Sequence, residues 1–85
     1  MSTYEFVIVL QEPREFTEAL AERLFASGCD DATPGQFEGE CVVDFARHAD
    51  NLESAIRSAA RDVRSAGCRI RCIRLEGAMI GEPAL

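Results

Sequence analysis

The alternation of apolar and polar residues predicts four β-strands. Tyr4–Leu10 alternates with period two, and the valines on its second side favour a central position in a sheet. Glu40–Phe45 and Cys68–Glu76 alternate in the same way. A weaker strand precedes a hairpin turn at Glu38–Gly39. Its Pro34 predicts a sheet edge, because proline cannot donate a hydrogen bond to a neighbouring strand.

Two further segments repeat their apolar residues at helical spacing. The first helix is predicted to begin at Pro13, which suits a first helical turn, and to end at Gly28. The second is predicted from Asn51 to Ala66, with Asp50 or Asn51 as its N-cap and Gly67 after its last turn. The inward residues are expected to be Phe16, Ala19, Leu20, Leu24 and Phe25 in the first helix and Leu52, Ile56, Ala59 and Val63 in the second.

The order strand, helix, strand, strand, helix, strand predicts an α+β fold. Two crossover connections place both helices on one face of a four-stranded antiparallel sheet, which is the ferredoxin-like βαββαβ two-layer sandwich. The first and third strands are expected at its centre, within one domain of residues 1–76 followed by a tail of residues 77–85. In the last strand, Cys68, Ile70 and Cys72 are expected to share one face. The alternation slips near Cys72–Ile73, so we expect a bulge or a change of face there.

Composition limits the possible functions. The chain has 85 residues, with 15 acidic and 9 basic side chains and a net charge of -6, which argues against direct nucleic-acid binding. The longest strongly apolar run, Phe6–Leu10, is too short to span a membrane, and no basic leader precedes it. We therefore expect a cytoplasmic protein whose four cysteines are reduced and mostly buried.

The sheet face opposite the helices, here called the open face, is the predicted interface. It combines valines with charges of both signs, which suits a self-complementary contact between two copies. The alternative is a solvated face whose valines reflect strand propensity alone. The predicted interface residues are Glu5, Val7, Val9, Val42, Asp44, Arg69 and Arg71.

A stripe of arginines, Arg57, Arg61 and Arg64, follows one face of the second helix. We expect surface ion pairs with an acidic stripe on the first helix, formed by Glu15, Glu18 and Glu22. A phosphate site is the alternative, but no glycine-rich loop or aromatic platform accompanies these arginines.

Neither catalysis nor a metal centre has a clear pattern. No His–Asp–nucleophile set or phosphate loop is present, so we expect no enzyme and no cofactor. Cys68 and Cys72 would be about 13 Å apart in a strand, too far to share one tetrahedral metal without a bend. His48 is expected to be exposed in a corner before the second helix. Asp30–Asp31 is expected to be a polar turn, with a hard-cation site as the alternative.

Three segments carry a family resemblance. Leu24–Thr33 (LFASGCDDAT), Asp44–Arg47 (DFAR) and Ala55–Gly67 (AIRSAARDVRSAG) resemble small bacterial proteins in which a ferredoxin-like module precedes a helix-turn-helix. Such proteins are described as DNA-binding or antitoxin-like regulators. The resemblance covers about residues 4–76, whereas Glu76–Leu85 is too short for the helix-turn-helix.

Together these observations predict a non-enzymatic, homodimerising interaction module of a regulatory system linked to a helix-turn-helix or antitoxin-like regulator. A separate protein partner is also compatible with this role. The alternatives are a small-ligand sensing domain and a metal-binding module using Cys29, Cys41, Cys68 or Cys72.

Overall fold

The computed structural model describes residues 2–75 and the backbone of residues 78–81. Its elements are β1 (Ser2–Glu12), α1 (Glu18–Ala26), β2 (Ala32–Phe37), β3 (Glu40–Ala49), α2 (Leu52–Ser65), β4 (Arg69–Leu75) and β5 (Ala78–Gly81). The strands form one antiparallel sheet in the order β2-β3-β1-β4-β5. Its first four strands have the predicted ferredoxin-like topology, so the fold prediction is confirmed.

The edge and the hairpin follow from local backbone preferences. β2 lies at the sheet edge, where Pro34 costs no ladder hydrogen bond. Between β2 and β3, Glu38 and Gly39 have φ values of 50° and 79°. Two consecutive positive φ values characterise a type I′ turn, whose twist matches that of the flanking strands.

The slip of alternation in β4 is a bulge. Val9 pairs with Cys72 and Leu10 pairs with Ile70, which leaves Arg71 as the extra residue of β4. The bulge turns Ile73 into the core, where it is fully buried, and turns Cys72 to the face opposite Ile70. The expectation that Cys72 shares a face with Cys68 and Ile70 is therefore wrong.

Helix α2 matches its prediction closely. Asn51 is the N-cap, and its side-chain oxygen accepts a hydrogen bond from the backbone N–H of Ser54 at 2.8 Å. Gly67 follows the last turn with φ 87°. Ile56, Ala59 and Val63 are buried with the adjacent alanines, because they face the sheet. Leu52 is half-buried against the same core.

Helix α1 begins later than predicted. Its N-cap is Thr17, whose hydroxyl accepts from the N–H of Leu20 at 3.1 Å. Pro13 therefore lies outside the helix, in a connection held to β2 by Gln36 through the backbone of Arg14 and Phe16.

The inward stripe of α1 is narrower than predicted. Leu20 and Leu24 are buried, and Phe16 is partly buried against the core. Ala19 and Phe25 are exposed, because each lies one residue, or about 100°, away from a core residue of the helix. The prediction that these two residues face inward is wrong.

The tail adds a strand that its sequence did not predict. Ala78–Gly81 pairs with β4 and extends the sheet to five strands. The remaining residues of the predicted tail, 77 and 82–85, lie outside the described residues, as does Glu76. Within the described part of the chain, no helix is long and apolar enough to cross a membrane.

Candidate functional site

The open face carries the residues that the strand alternation predicted for it. Val7, Val42 and Asp44 alternate with core residues of β1 and β3, so they point away from the helices. Val7 and Val42 are half-buried, and Asp44 is exposed. Glu5 is also exposed on this face, one row beyond Val7. The structure thus brings these four predicted residues together.

Val9 lies on the same face but is fully buried within one copy of the chain. The carboxylate of Glu40 on β3 accepts hydrogen bonds from Arg71 at 2.9 Å and from Arg74 at 2.7 Å, both on β4. Because β1 lies between β3 and β4, these side chains span about 10 Å across β1, close to Val9. We call Glu40, Arg71 and Arg74 the clamp. It helps to cover Val9, so Val7 and Val42 are the valines that expose apolar surface.

The two predicted arginines differ in their surroundings. Arg71 is the bulged residue and belongs to the clamp. Arg69 lies at the end of β4 and pairs with Glu12 at 3.0 Å, with both side chains well exposed. An exposed pair of this kind contributes about 0–1 kcal/mol. The hydrogen bond to Glu40 raises the pKa of Arg74 above its ordinary value. The clamp contains two basic side chains and one acidic side chain.

Phe37 is the main residue of this face that the sequence analysis missed. Its side chain is 59% exposed, and it pairs with Glu40 in the hairpin. Phe37, Val7 and Val42 line a shallow depression together with Asp44 and Arg74. The two-residue turn could have revealed this position, because it fixes the pairing of Phe37 with Glu40 and hence its face.

The opposite, helix-facing side of the sheet holds a buried ion cluster. Arg47 on β3 is only 8% exposed, and all five of its N–H donors have acceptors. Two bind Asp31 at 2.8 and 2.9 Å, and the others bind Asp62 at 2.9 Å, Gly28 O at 3.0 Å and Ser58 Oγ at 3.1 Å. The cluster therefore connects β3 to α2 and to the loop between α1 and β2.

The charges of this cluster stabilise one another. Hydrogen bonding to Arg47 lowers the pKa of Asp31, and hydrogen bonding to Asp31 raises the pKa of Arg47. Asp31 therefore serves as an arginine partner rather than a simple polar turn. A signal was present in the sequence, since the alternation Cys41, Val43, Phe45 places Arg47 on the core face, where a guanidinium requires acceptors.

The four cysteines are free and buried, as predicted. Burial raises the pKa of Cys29 to about 12, and it also raises the pKa values of Cys41 and Cys68. Neutral thiols are poor nucleophiles and poor metal ligands. Within the described residues, no group of three or more His, Cys, Asp or Glu side chains is arranged to hold a metal ion.

His48 and the arginine stripe lie away from the open-face depression. His48 is exposed near the end of β3, with Nδ1 2.8 Å from Thr3 Oγ1, and so lies in a strand rather than in the predicted corner. Arg57 pairs with Glu53 of its own helix at 3.5 Å, not with the acidic stripe of α1. Arg61 is exposed, and Arg64 is half-buried. Arg57 and Arg61 border a shallow groove along α2.

Comparison with known proteins identified no relative of this chain. No protein-family model, curated protein or solved structure matches this chain. The open face, with its apolar centre and mixed charges, is therefore the candidate site on geometry alone.

Proposed function

We propose that this chain is a non-enzymatic interaction module that forms a homodimer through the open face of its sheet. The observation that carries the proposal is the apolar depression formed by Val7, Phe37 and Val42, with Phe37 59% exposed. A large exposed aromatic beside half-buried valines typically anchors a protein contact. The bordering charges, Asp44 and Arg74, are of opposite sign, as a self-complementary contact requires.

The size of the molecule is adequate for such a contact. Its largest cross-section measures 32 × 26 Å. A rectangle of these dimensions has an area of about 800 Å², which bounds a flat face from above, and each partner buries about that much surface in an interface of standard size. A domain of this length also benefits from association, because its single core buries a modest share of its surface.

The regulatory part of the proposal rests on the sequence resemblance to modules that precede a helix-turn-helix. In such proteins the dimer would set the spacing of two attached helix-turn-helix domains, while the acidic module itself would not contact nucleic acid. The four free, buried thiols suit a reducing cytoplasmic compartment.

The two exposed phenylalanines provide a matched test. Phe37 lies on the open face, whereas Phe25 is 68% exposed on α1, in the other layer. Sedimentation velocity and native mass spectrometry should show a dimer for the unmodified chain and for Phe25→Ser, and a shift toward monomer for Phe37→Ser. Val42→Asp should have the same effect as Phe37→Ser. A monomeric unmodified chain, or equal behaviour of both phenylalanine variants, would contradict the proposal.

A small-ligand sensor is the second candidate. The same depression presents a carboxylate and a guanidinium beside an apolar wall, which suits a small amphipathic molecule. A metabolite panel screened by thermal shift should then contain a compound that raises the melting temperature of the unmodified chain but not of Val42→Asp. A panel without any such shift would argue against this candidate.

A further inference from the structure

The charges of the open face are sorted by strand. Its three arginines, Arg69, Arg71 and Arg74, all belong to β4, whereas the carboxylates of Asp44 and Glu40 belong to β3. Asp44 and Arg74 flank the same residue, Val7, from opposite sides and so lie in one row across the sheet. Arg74 contributes to the clamp. The carboxylate of Asp44 has no hydrogen bond or ion pair with any residue in the part of the chain that the structure describes.

This sorting distinguishes two ways of packing one open face on another. A two-fold axis across the strands would place β4 on β4 of the second copy, with arginine facing arginine. A two-fold axis along β1 would place β4 on β3 of the second copy, with arginine facing carboxylate. Opposed like charges are costly in an interface, and complementary charges determine its register.

We infer that two copies pack with their two-fold axis along β1, so that Asp44 of each copy binds Arg74 of the other. This inference rests on the proposed homodimer and specifies its geometry. Packed sheets lie about 10 Å apart with their strands nearly aligned, a gap that an arginine and an aspartate span together. Glu40 forms ion pairs with both Arg71 and Arg74. It therefore remains paired with Arg71 when Arg74 also binds Asp44 of the second copy.

The same axis places the apolar centre of one face on that of the other. Val7 lies on β1 and therefore meets Val7 of the second copy, with Val42 and Phe37 around it. Each ion pair between the copies occurs twice, once on either side of the axis. Glu5 is also on β1, so the two Glu5 carboxylates approach each other at one end of the contact.

A charge-swap experiment tests the orientation. Asp44→Arg alone would place the introduced guanidinium against Arg74 in both halves of a dimer, and Arg74→Asp alone would oppose two aspartates. We expect each variant to be monomeric in native mass spectrometry at a concentration where the unmodified chain is dimeric. A mixture of the two variants should form the heterodimer, because both contacts across the axis then again pair an arginine of one copy with an aspartate of the other.

The outcomes separate this inference from the proposed function. A monomeric unmodified chain removes both ideas and indicates a different partner for the open face. A dimeric unmodified chain whose Asp44→Arg variant stays dimeric overturns the orientation while leaving the homodimer. Folded variants that fail to form the heterodimer overturn the orientation as well.

Two milder measurements keep the test decisive if Arg74→Asp fails to fold. In a double-mutant cycle, Asp44→Asn and Arg74→Gln should each weaken dimerisation by about fivefold or more, and the double variant should be little worse than either. Glu5→Gln should strengthen the dimer, whereas the control Glu22→Gln on α1 should leave it unchanged. Additive effects in the cycle, or a weaker dimer with Glu5→Gln, would overturn the proposed axis.

Discussion

Replacing Arg47 with methionine tests the physical account of this fold most directly. Methionine retains much of the length of the side chain but removes all five hydrogen-bond donors. The carboxylates of Asp31 and Asp62 then lose their cation, and the carbonyl of Gly28 loses a hydrogen-bond donor. Three separate elements, β3, α2 and the loop after α1, would be affected by one substitution.

The expected loss of stability is large for a domain of this size. Removing one partner of a buried ion pair typically costs about 3–5 kcal/mol. The side chains of Asp31 and Asp62 are 30% and 23% exposed, so water can partly solvate them once Arg47 is gone. We therefore expect a loss of about 2–4 kcal/mol. An 85-residue domain has a total stability of about 4–13 kcal/mol, so this loss is a substantial fraction of it.

Urea unfolding followed by circular dichroism at pH 7 and 25 °C measures this loss. Thermal unfolding should show a melting temperature lower by about 10–25 °C. Arg57→Met is the matched control, because Arg57 is 56% exposed and its ion pair is with Glu53 of its own helix, at 3.5 Å. The control should lose less than about 0.5 kcal/mol. If Arg47→Met loses under about 1 kcal/mol, or no more than the control, the buried ion cluster does not make the expected contribution to stability.

Two further predictions concern protonation and thiol access. The pKa of Asp31 in the folded chain lies below its ordinary value of 3.8, so the stability that this carboxylate contributes is complete above pH 3.8 and is lost as the pH falls below it. Urea midpoints measured between pH 6 and 2.5 should therefore decrease more steeply for the unmodified chain than for Asp31→Asn. Parallel curves for the two proteins would refute this prediction. Cys29 is 3% exposed with its pKa raised to about 12, so iodoacetamide at pH 8 should alkylate it slowly in the folded chain and rapidly in urea. Peptide mass spectrometry reads out this modification, and equal rates in both conditions would contradict the burial of the thiol.

Patterns that depend on near neighbours were readable from the sequence. The period of two in β1 and β3 and the spacing of Ile56 and Val63 reflect one requirement, that an element buries one face. Caps and turns at Asn51, Gly67 and Glu38–Gly39 depend on backbone preferences of single residues. These local signals were sufficient to predict the order of the elements and, through it, the fold and most of the open face.

Features that depend on distant partners required the tertiary structure. α1 has its N-cap at Thr17 and does not begin at Pro13, because Gln36 of β2 holds the intervening backbone. β5 exists because β4 offers an unpaired edge, although its own residues show no period. The acceptors of Arg47 come from residues 16 and 15 positions away, in Asp31 and Asp62.

The candidate site also combines features set by near neighbours with features set by distant residues, and the clamp is the example. Alternation along a strand was sufficient to predict that Val9, Val42 and Asp44 face away from the helices. It did not determine that Glu40 reaches two arginines across β1, 31 and 34 residues further along the chain. Only the sheet order places these charges over Val9, leaving Val7, Val42 and Phe37 as the apolar surface. A side chain's direction is a local property, whereas its exposure depends on which distant residues the fold brings over it.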